Sequence, residues 1–490
     1  MNQFLKNNKY LLFILLFMTI HYWIYVSRIP TKYYSDSYIY LKLAENLASE
    51  HSYHLPGYTA TIYSFYPPGY SLTITGLQGL THMPYKNAVT WIAYLSLMIF
   101  LIYFYKITGF YFRNIKWRMA LLILVCFSAI YPLFFIALSE HIFLALFMIQ
   151  MYLLLKWERD KNYKNLFFAG IFMGLLLLTR YASFGLLFSE SIWLVWIFYK
   201  QKLKGKEILY FLFPPTLFFS IWFFLISTHN SGSMGRKIIF HPPDLAHFKE
   251  LIKSLFNWIV PGLTPYFFIP VILLFILLIW NSRKYIHSLI GKPDIQLWLF
   301  NLLGYLIFLS GVISFLDFSS SYDFRLLLPA YFSFIIIFSL LLYQNIRVIK
   351  SKIAYALSGL VVLSFLLHFI QFNLYSSPKI YSPELIRLLK NNEKYVYTNT
   401  TDLLPELIKN DSLIRQIPFT YNPKSTLSNP NFNKSMQNML DSVRHNQAVI
   451  IYFDGYEDWD FCPSKDEILK NFKQIKKVDF SEGSYIKAIE

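Results

Sequence analysis

The chain has 490 residues, of which 55% are hydrophobic and 20% aromatic, but only 15% are charged. A soluble domain carries about 25% charged residues, so this composition excludes an ordinary soluble globular protein and indicates a membrane protein. The net charge of +17 does not point to nucleic acid, because most Lys and Arg lie in short segments between apolar runs.

The first apolar run, "YLLFILLFMTIHYWIYVS", follows Lys6 and Lys9 and leads into "RIPTKYY" without a small-residue cleavage site. It reads as a retained helix and not as a signal peptide. Crossing the hydrocarbon takes about 20 apolar residues. Eleven candidate spans lie at roughly 10–27, 87–105, 119–137, 141–155, 166–178, 183–199, 208–227, 263–281, 295–314, 328–345 and 353–372, and none contains Lys or Arg.

With the N-terminus in the cytoplasm, the inner segments 1–10, 106–118, 156–165, 200–207, 282–294 and 346–352 hold 20 Lys and Arg in 61 residues. The outer segments 28–86, 137–141, 179–182, 228–262 and 315–327 hold 10 in 116. By the positive-inside rule this asymmetry sets the orientation. Residues 373–490 then fall outside. The expected fold is an α-helical polytopic membrane protein of about eleven spans over 1–372, with a small extracytoplasmic α/β domain over 373–490.

In chain order, the first outer loop, 28–86, opens with "YYSDSYIYLKLAENLASEHSYHLPG". Ser35 is a good N-cap, which puts Asp36 in the first turn of a helix over 36–49. There the free backbone N–H groups and the positive end of the helix dipole favour a carboxylate. Residues 38, 41, 44 and 48 make one face and Lys42, Glu45, Asn46 and Ser49 another, the pattern of a helix lying on the membrane surface. Next, "YSFYPPGYSLTITGLQGL" fixes a turn at its two prolines and Gly69, and the apolar stretch 70–80 is too short to span. The loop therefore reads as surface helix, Pro-Pro-Gly turn, surface helix.

Further along, the short outer connections carry Glu140 and His141 in "ALSEHIF", Arg180 in "LLTRYAS", and Asp317, Asp323 and Arg325 in "LDFSSSYDFRLLLPA". The loop 228–262 adds His229, Arg236, Lys237 and His241. Charges this close to hydrocarbon are costly unless paired, solvated or used. Pairing at helix ends accounts for any one of them; a charged residue in each tight outer loop points to a shared site. Glu190, in "FGLLFSESIW", is the one acid well inside a span and is either functional or bonded to a neighbouring helix. In the tail, "KYVYTN" and "AVIIYFDG" read as strands, and "SPELIRLLKN" and "SKDEILKNFKQI" have helical spacing. Cys126 and Cys462 give no disulfide framework.

The Asp shortly after the first span, the loop closed by "YPPGY", the "SE" before the fourth span, "GLLLLTRYAS" and "FRLLLPAYFSF" together resemble the GT-C membrane glycosyltransferases. The resemblance covers about residues 10–345 and is nearest to the bacterial branch related to protein O-mannosyltransferases and lipid A aminoarabinose transferases. It implies transfer of a sugar from a polyprenyl phosphate carrier to a lipid, glycan or protein acceptor outside the bacterial cytoplasmic membrane, with inversion at the anomeric carbon. It makes Asp36 the base and Glu140 a second acid that positions the acceptor or the arginines. Arg180 and Arg325 would bind the leaving phosphate, since guanidinium meets phosphate in bidentate geometry. His141, Tyr66 and Asp323 would line the substrate site. Many relatives have a second acid beside the first-loop Asp where this chain has Ser37, which leaves a dyad and a metal held by it open; no cofactor is expected, with a divalent metal as the alternative. Two rivals are a flippase, which would place charges or broken helices near the midplane, and a polysaccharide polymerase or ligase, which would use a large outer loop between late spans.

Overall fold

The computed structural model describes residues 2–29, 31–32, 35–54, 62, 64–201, 205–229, 240, 242, 245–261, 268–315, 322, 324–346, 352–375, 387, 389, 394–398, 414–417, 432–453, 465–472, 474–480 and 483–488. Up to Tyr375 these residues form a helical bundle: α1 (Asn2–Arg28), α2 (Ser35–Ser49), α3 (Gly69–Thr81), α4 (Tyr85–Tyr111), α5 (Ile115–Phe127), α6 (Glu140–Asp160), α7 (Tyr163–Thr179), α8 (Ser183–Gln201), α9 (Gly205–His229), α10 (Leu245–Ile259), α11 (Phe268–Ile290), α12 (Pro293–Phe315), α13 (Leu328–Gln344) and α14 (Lys352–Tyr375). A helix occupies each predicted span. Among the described residues, α1, α4, α6, α9, α12 and α14 are long and apolar enough to cross a membrane. The chain is an integral, multi-pass membrane protein.

Two elements depart from expectation. The segment 119–137 is not one helix: α5 stops at Phe127, and a 3-10 turn over Tyr131–Phe135, with Pro132 in its first turn, carries the chain onward. Ser128 makes the break, its hydroxyl donating to the Val125 carbonyl and accepting from the Ile130 N–H. In addition, the face that α2 buries is not the predicted one. It buries Ser37, Tyr40, Leu41, Leu43, Ala44 and Asn46, and Ala48 is exposed. The reason is α3, which packs along it: Ser71 donates to the Tyr40 carbonyl and Thr75 to that of Ala44. Tyr40, Leu41 and Ala44 join Tyr70, Ile74, Ala88 and Val89 in one apolar cluster.

Gly69 is fixed by close approach. A Cβ there would sit 2.6 Å from the Leu178 carbonyl oxygen, so α3 begins directly against the end of α7.

Deep in the bundle, Glu190 links three helices. Gln150 of α6 donates to its Oε2 at 2.5 Å and Asn301 of α12 to its Oε1 at 3.2 Å, while Ser189 bonds Asn301. A buried polar group costs several kcal/mol without such partners, and here they make it a tie between α6, α8 and α12. The intramembrane acid is thus hydrogen-bonded into the core.

Beyond the helices, β1 (Tyr395–Thr398), β2 (Ile414–Gln416), β3 (Ala448–Phe453), β4 (Ile475–Phe480) and β5 (Gly483–Ala488) form a sheet in the order β2-β1-β3-β5-β4. β1 runs parallel to β2 and β3; β5 is antiparallel to β3 and β4. Helix Phe432–Arg444 covers it with Met439, Leu440 and Val443. The two predicted strands are β1 and β3. "SKDEILKNFKQI" is helical only over Lys465–Leu469, because Ile475 already opens β4. Most of "SPELIRLLKN", along with Cys462, Asp317, Asp323, Arg236, Lys237 and His241, lies outside the described residues.

Candidate active site

Two acids distant in sequence are brought together by a backbone pairing. Lys32, after α1, bridges in parallel to Ile136, before α6. The Lys32 N–H donates to the Phe135 carbonyl and the Ala137 N–H to that of Lys32, both at 2.8 Å. Asp36 lies four residues beyond one partner and Glu140 four beyond the other, so each acid enters the first turn of its helix side by side. Helix α2 begins at Ser35, one residue earlier than expected, which is within the ordinary ambiguity of helix ends.

The arginines come from two other connections. Arg180 ends α7, its N–H closing the last turn onto Leu176. The turn that follows is held by the Ser183 hydroxyl, which also donates to the Leu176 carbonyl. Arg325 sits in the turn 324–327 that leads into α13. Arg180 Nη1 is 2.6 Å from Glu140 Oε1. Arg325 Nη1 is 3.6 Å from the same oxygen and 3.9 Å from Asp36 Oδ2. One guanidinium thus stands between the two acids.

Tyrosines complete the arrangement. The Tyr66 hydroxyl donates to Asp36 Oδ1 at 2.7 Å. Tyr40, one turn beyond Asp36, shares a 3.2 Å hydrogen bond with the Ser139 hydroxyl, which also accepts from Arg180 at 3.3 Å. Burial pushes the Tyr40 phenol well above its ordinary range, so it stays a neutral hydrogen-bonding group. For Arg180 burial works against the cation, but Glu140 and Tyr40 outweigh it and hold the guanidinium proton above its ordinary range.

The two arginines are not equivalent. Arg180 is only 16% exposed and tightly paired, whereas Arg325 is 38% exposed and its ion pairs are long. Asp36 is likewise about a third open at 32%, against 2% for Glu140. The open pair faces solvent, and the closed pair stands behind it.

His141 belongs behind the site too. It is fully buried, with Nε2 3.2 Å from the Tyr70 hydroxyl. Among the described residues, His141 Nδ1 and Glu140 Oε2 are buried without a hydrogen-bond partner. Asp36, Tyr66, Glu140, Arg180 and Arg325 therefore converge, His141 backs them, and Asp323 lies outside the described residues. Tyr40 was not singled out by the sequence, where it merges into an aromatic background, and Ser139 and Tyr70 entered only as members of "SE" and "YPPGY", without a role. Among the described residues no group of three or more His, Cys, Asp or Glu is placed to hold a metal ion.

No protein-family model and no curated relative matches the sequence. Solved structures do match in fold. The crystal structure of ArnT from Cupriavidus metallidurans bound to undecaprenyl phosphate is 8% identical, with a TM-score of 0.59 over 97% of both chains. Its apo form is 10% identical, with a TM-score of 0.54 over 97% of both. The Archaeoglobus fulgidus oligosaccharyltransferase in complex with Zn and sulfate is 12% identical, with a TM-score of 0.48 over 94% of this chain and 69% of its own. The chain shares the fold of the two ArnT structures.

Proposed function

We propose that this protein is an inverting glycosyltransferase that moves a sugar from a polyprenyl phosphate carrier to an acceptor on the extracytoplasmic face. The observation that carries the reading is the open pair, Asp36 and Arg325, backed by the closed pair, Glu140 and Arg180. It supports a base and a phosphate-binding cation side by side. The similar ArnT structure bound to undecaprenyl phosphate supports a lipid phosphate as the ligand of such a fold.

In the reaction, the acceptor hydroxyl oxygen bonds to the anomeric carbon as the carbon–oxygen bond to phosphate breaks. The electron pair leaves with the phosphate oxygen, and the hydroxyl proton passes to the Asp36 carboxylate. Backside attack inverts the anomeric centre. Arg325 meets the charge that develops on the phosphate, where a preorganised cation is worth most. Glu140 and Arg180 hold Arg325 in place and keep the local field fixed.

Formal charge supports this division of labour. Two carboxylates and two guanidiniums sum to zero, and the donor phosphodiester adds one negative charge. Transfer creates a phosphate monoester with two, and the proton arriving on Asp36 cancels the increase. The buried end of the site never gains net charge during the chemistry, which would be costly in a low dielectric.

The test uses purified protein in detergent with lipid extract containing polyprenyl phosphate sugars, reading free polyprenyl phosphate. Release by wild type, lost in Asp36→Asn and in Arg325→Ala with folding intact, is the expected result. Equal release from Asp36→Asn would reduce that acid to a helix-terminal charge and sink the mechanism.

A further inference from the structure

The turn that carries Arg325 is held from beneath by α12 and α10. The Tyr305 hydroxyl of α12 donates to the Leu326 carbonyl at 2.7 Å. The Tyr322 hydroxyl donates to Ser310 of α12 at 2.8 Å, and Ser254 of α10 donates to the Tyr322 carbonyl at 2.9 Å. Tyr305 is itself immobilised. It is 1% exposed, and its ring lies so close to α8 that a Cβ on Gly185 would sit 2.7 Å from it. Its helix is tied to α6 and α8 through Asn301, one turn earlier, in the Glu190 network.

From this geometry we propose that Tyr305 is a positioning residue for Arg325, setting the guanidinium between Asp36 and Glu140 by anchoring the backbone next to it. The inference rests on the transferase reading only for its consequence in catalysis. A buried tyrosine hydroxyl must find some acceptor, and many lie within its own bundle. This one takes the carbonyl of Leu326, the residue after the arginine, and so pins the turn on which the Arg325 side chain is mounted. The Arg325 side chain is 38% exposed with ion pairs of 3.6 and 3.9 Å, so the backbone of its turn shares in placing the guanidinium.

The test compares wild type, Tyr305→Phe, Arg325→Ala and the double variant as full-length protein in detergent. Amide hydrogen exchange over 322–327 and affinity for undecaprenyl phosphate are both read. In Tyr305→Phe the turn should exchange about tenfold faster, the worth of roughly one neutral hydrogen bond, while α6 is unchanged. Affinity should fall severalfold, and Arg325→Ala should lose nothing further when Tyr305→Phe is added. Ser310→Ala, which loosens the same turn through Tyr322 without touching Tyr305, should move exchange in the same direction. Unchanged exchange in both variants, or affinity losses that simply multiply in the double variant, would overturn the proposal. If wild type neither binds undecaprenyl phosphate nor releases it from sugar-loaded lipid, the transferase reading fails, and the exchange comparison still decides the anchor.

Discussion

Glu140 and Asp36 are both acids at the first turn of a helix, yet their surroundings assign them opposite sensitivities. Glu140 is 2% exposed and bonded to Arg180 at 2.6 Å. Replacing it with Gln leaves a largely buried guanidinium without its counter-ion, a change that costs on the order of 3 kcal/mol. Glu140→Gln should therefore lower the unfolding midpoint in detergent as well as the release of polyprenyl phosphate. Asp36 is about a third exposed, and its hydrogen bond from Tyr66 survives in Asn. Asp36→Asn should shift stability by less than about 1 kcal/mol, and it should cut the rate by roughly 10²- to 10⁴-fold, the usual worth of a positioned general base. Equal thermal losses in the two variants would contradict the open and closed division. Glu140, Arg180 and Arg325 were legible in the sequence because each is a charge in a tight connection next to hydrocarbon, and Asp36 because it opens a helix just after the first span. Their convergence was not. It depends on the Lys32–Ile136 backbone bridge, which any pair of residues makes and no side chain announces.

At the level of elements, helix existence followed from apolar run length, which the bilayer imposes on every span. What failed was the use made of short runs. α2 reads as amphipathic because Lys42, Glu45 and Asn46 line one side, but α3 returns against Tyr40, Leu41 and Ala44, and Asn46 is buried with its side chain donating to the His54 carbonyl at 2.7 Å. A partner supplied later in the chain overrode the local pattern. The same return makes Gly69 a sensitive position. Gly69→Ala would drive a Cβ against the Leu178 carbonyl oxygen, and backbone cannot yield as a side-chain tip does. An overpacked contact of this kind costs about 1–3 kcal/mol. Because Tyr66 lies three residues upstream and bonds Asp36, the variant should lose activity beyond its loss of stability. That is checked by assaying it well below its unfolding midpoint, where full activity would show the turn to be mere packing. Gly76, with open space around its Cβ position, is the control: Gly76→Ala should leave both properties intact.

For the whole molecule, the decisive property is sidedness, because a transferase draws its donor from the compartment its site faces. The segments assigned inside hold 20 basic residues in 61 positions, and those assigned outside, which include the acid–arginine cluster, hold 10 in 116. On the orientation we propose from the positive-inside rule, the lysine-rich segments are cytoplasmic and the cluster faces outward. Nucleotide-activated sugars are cytoplasmic solutes, so an outward-facing site needs a donor already carried across on a lipid, which is why a polyprenyl phosphate suits it. Two exposed positions report on this directly: Lys161, at the α6–α7 connection, and His82, after α3. In a Cys462→Ser background, with Cys126 buried, a membrane-impermeant thiol reagent should label His82→Cys in intact cells and Lys161→Cys only after permeabilisation. The reverse pattern would turn the cluster toward the cytoplasm. Arg325 would then have soluble diphosphate donors within reach, and the case for a lipid-linked sugar would lose its physical basis even if the four charged residues proved essential.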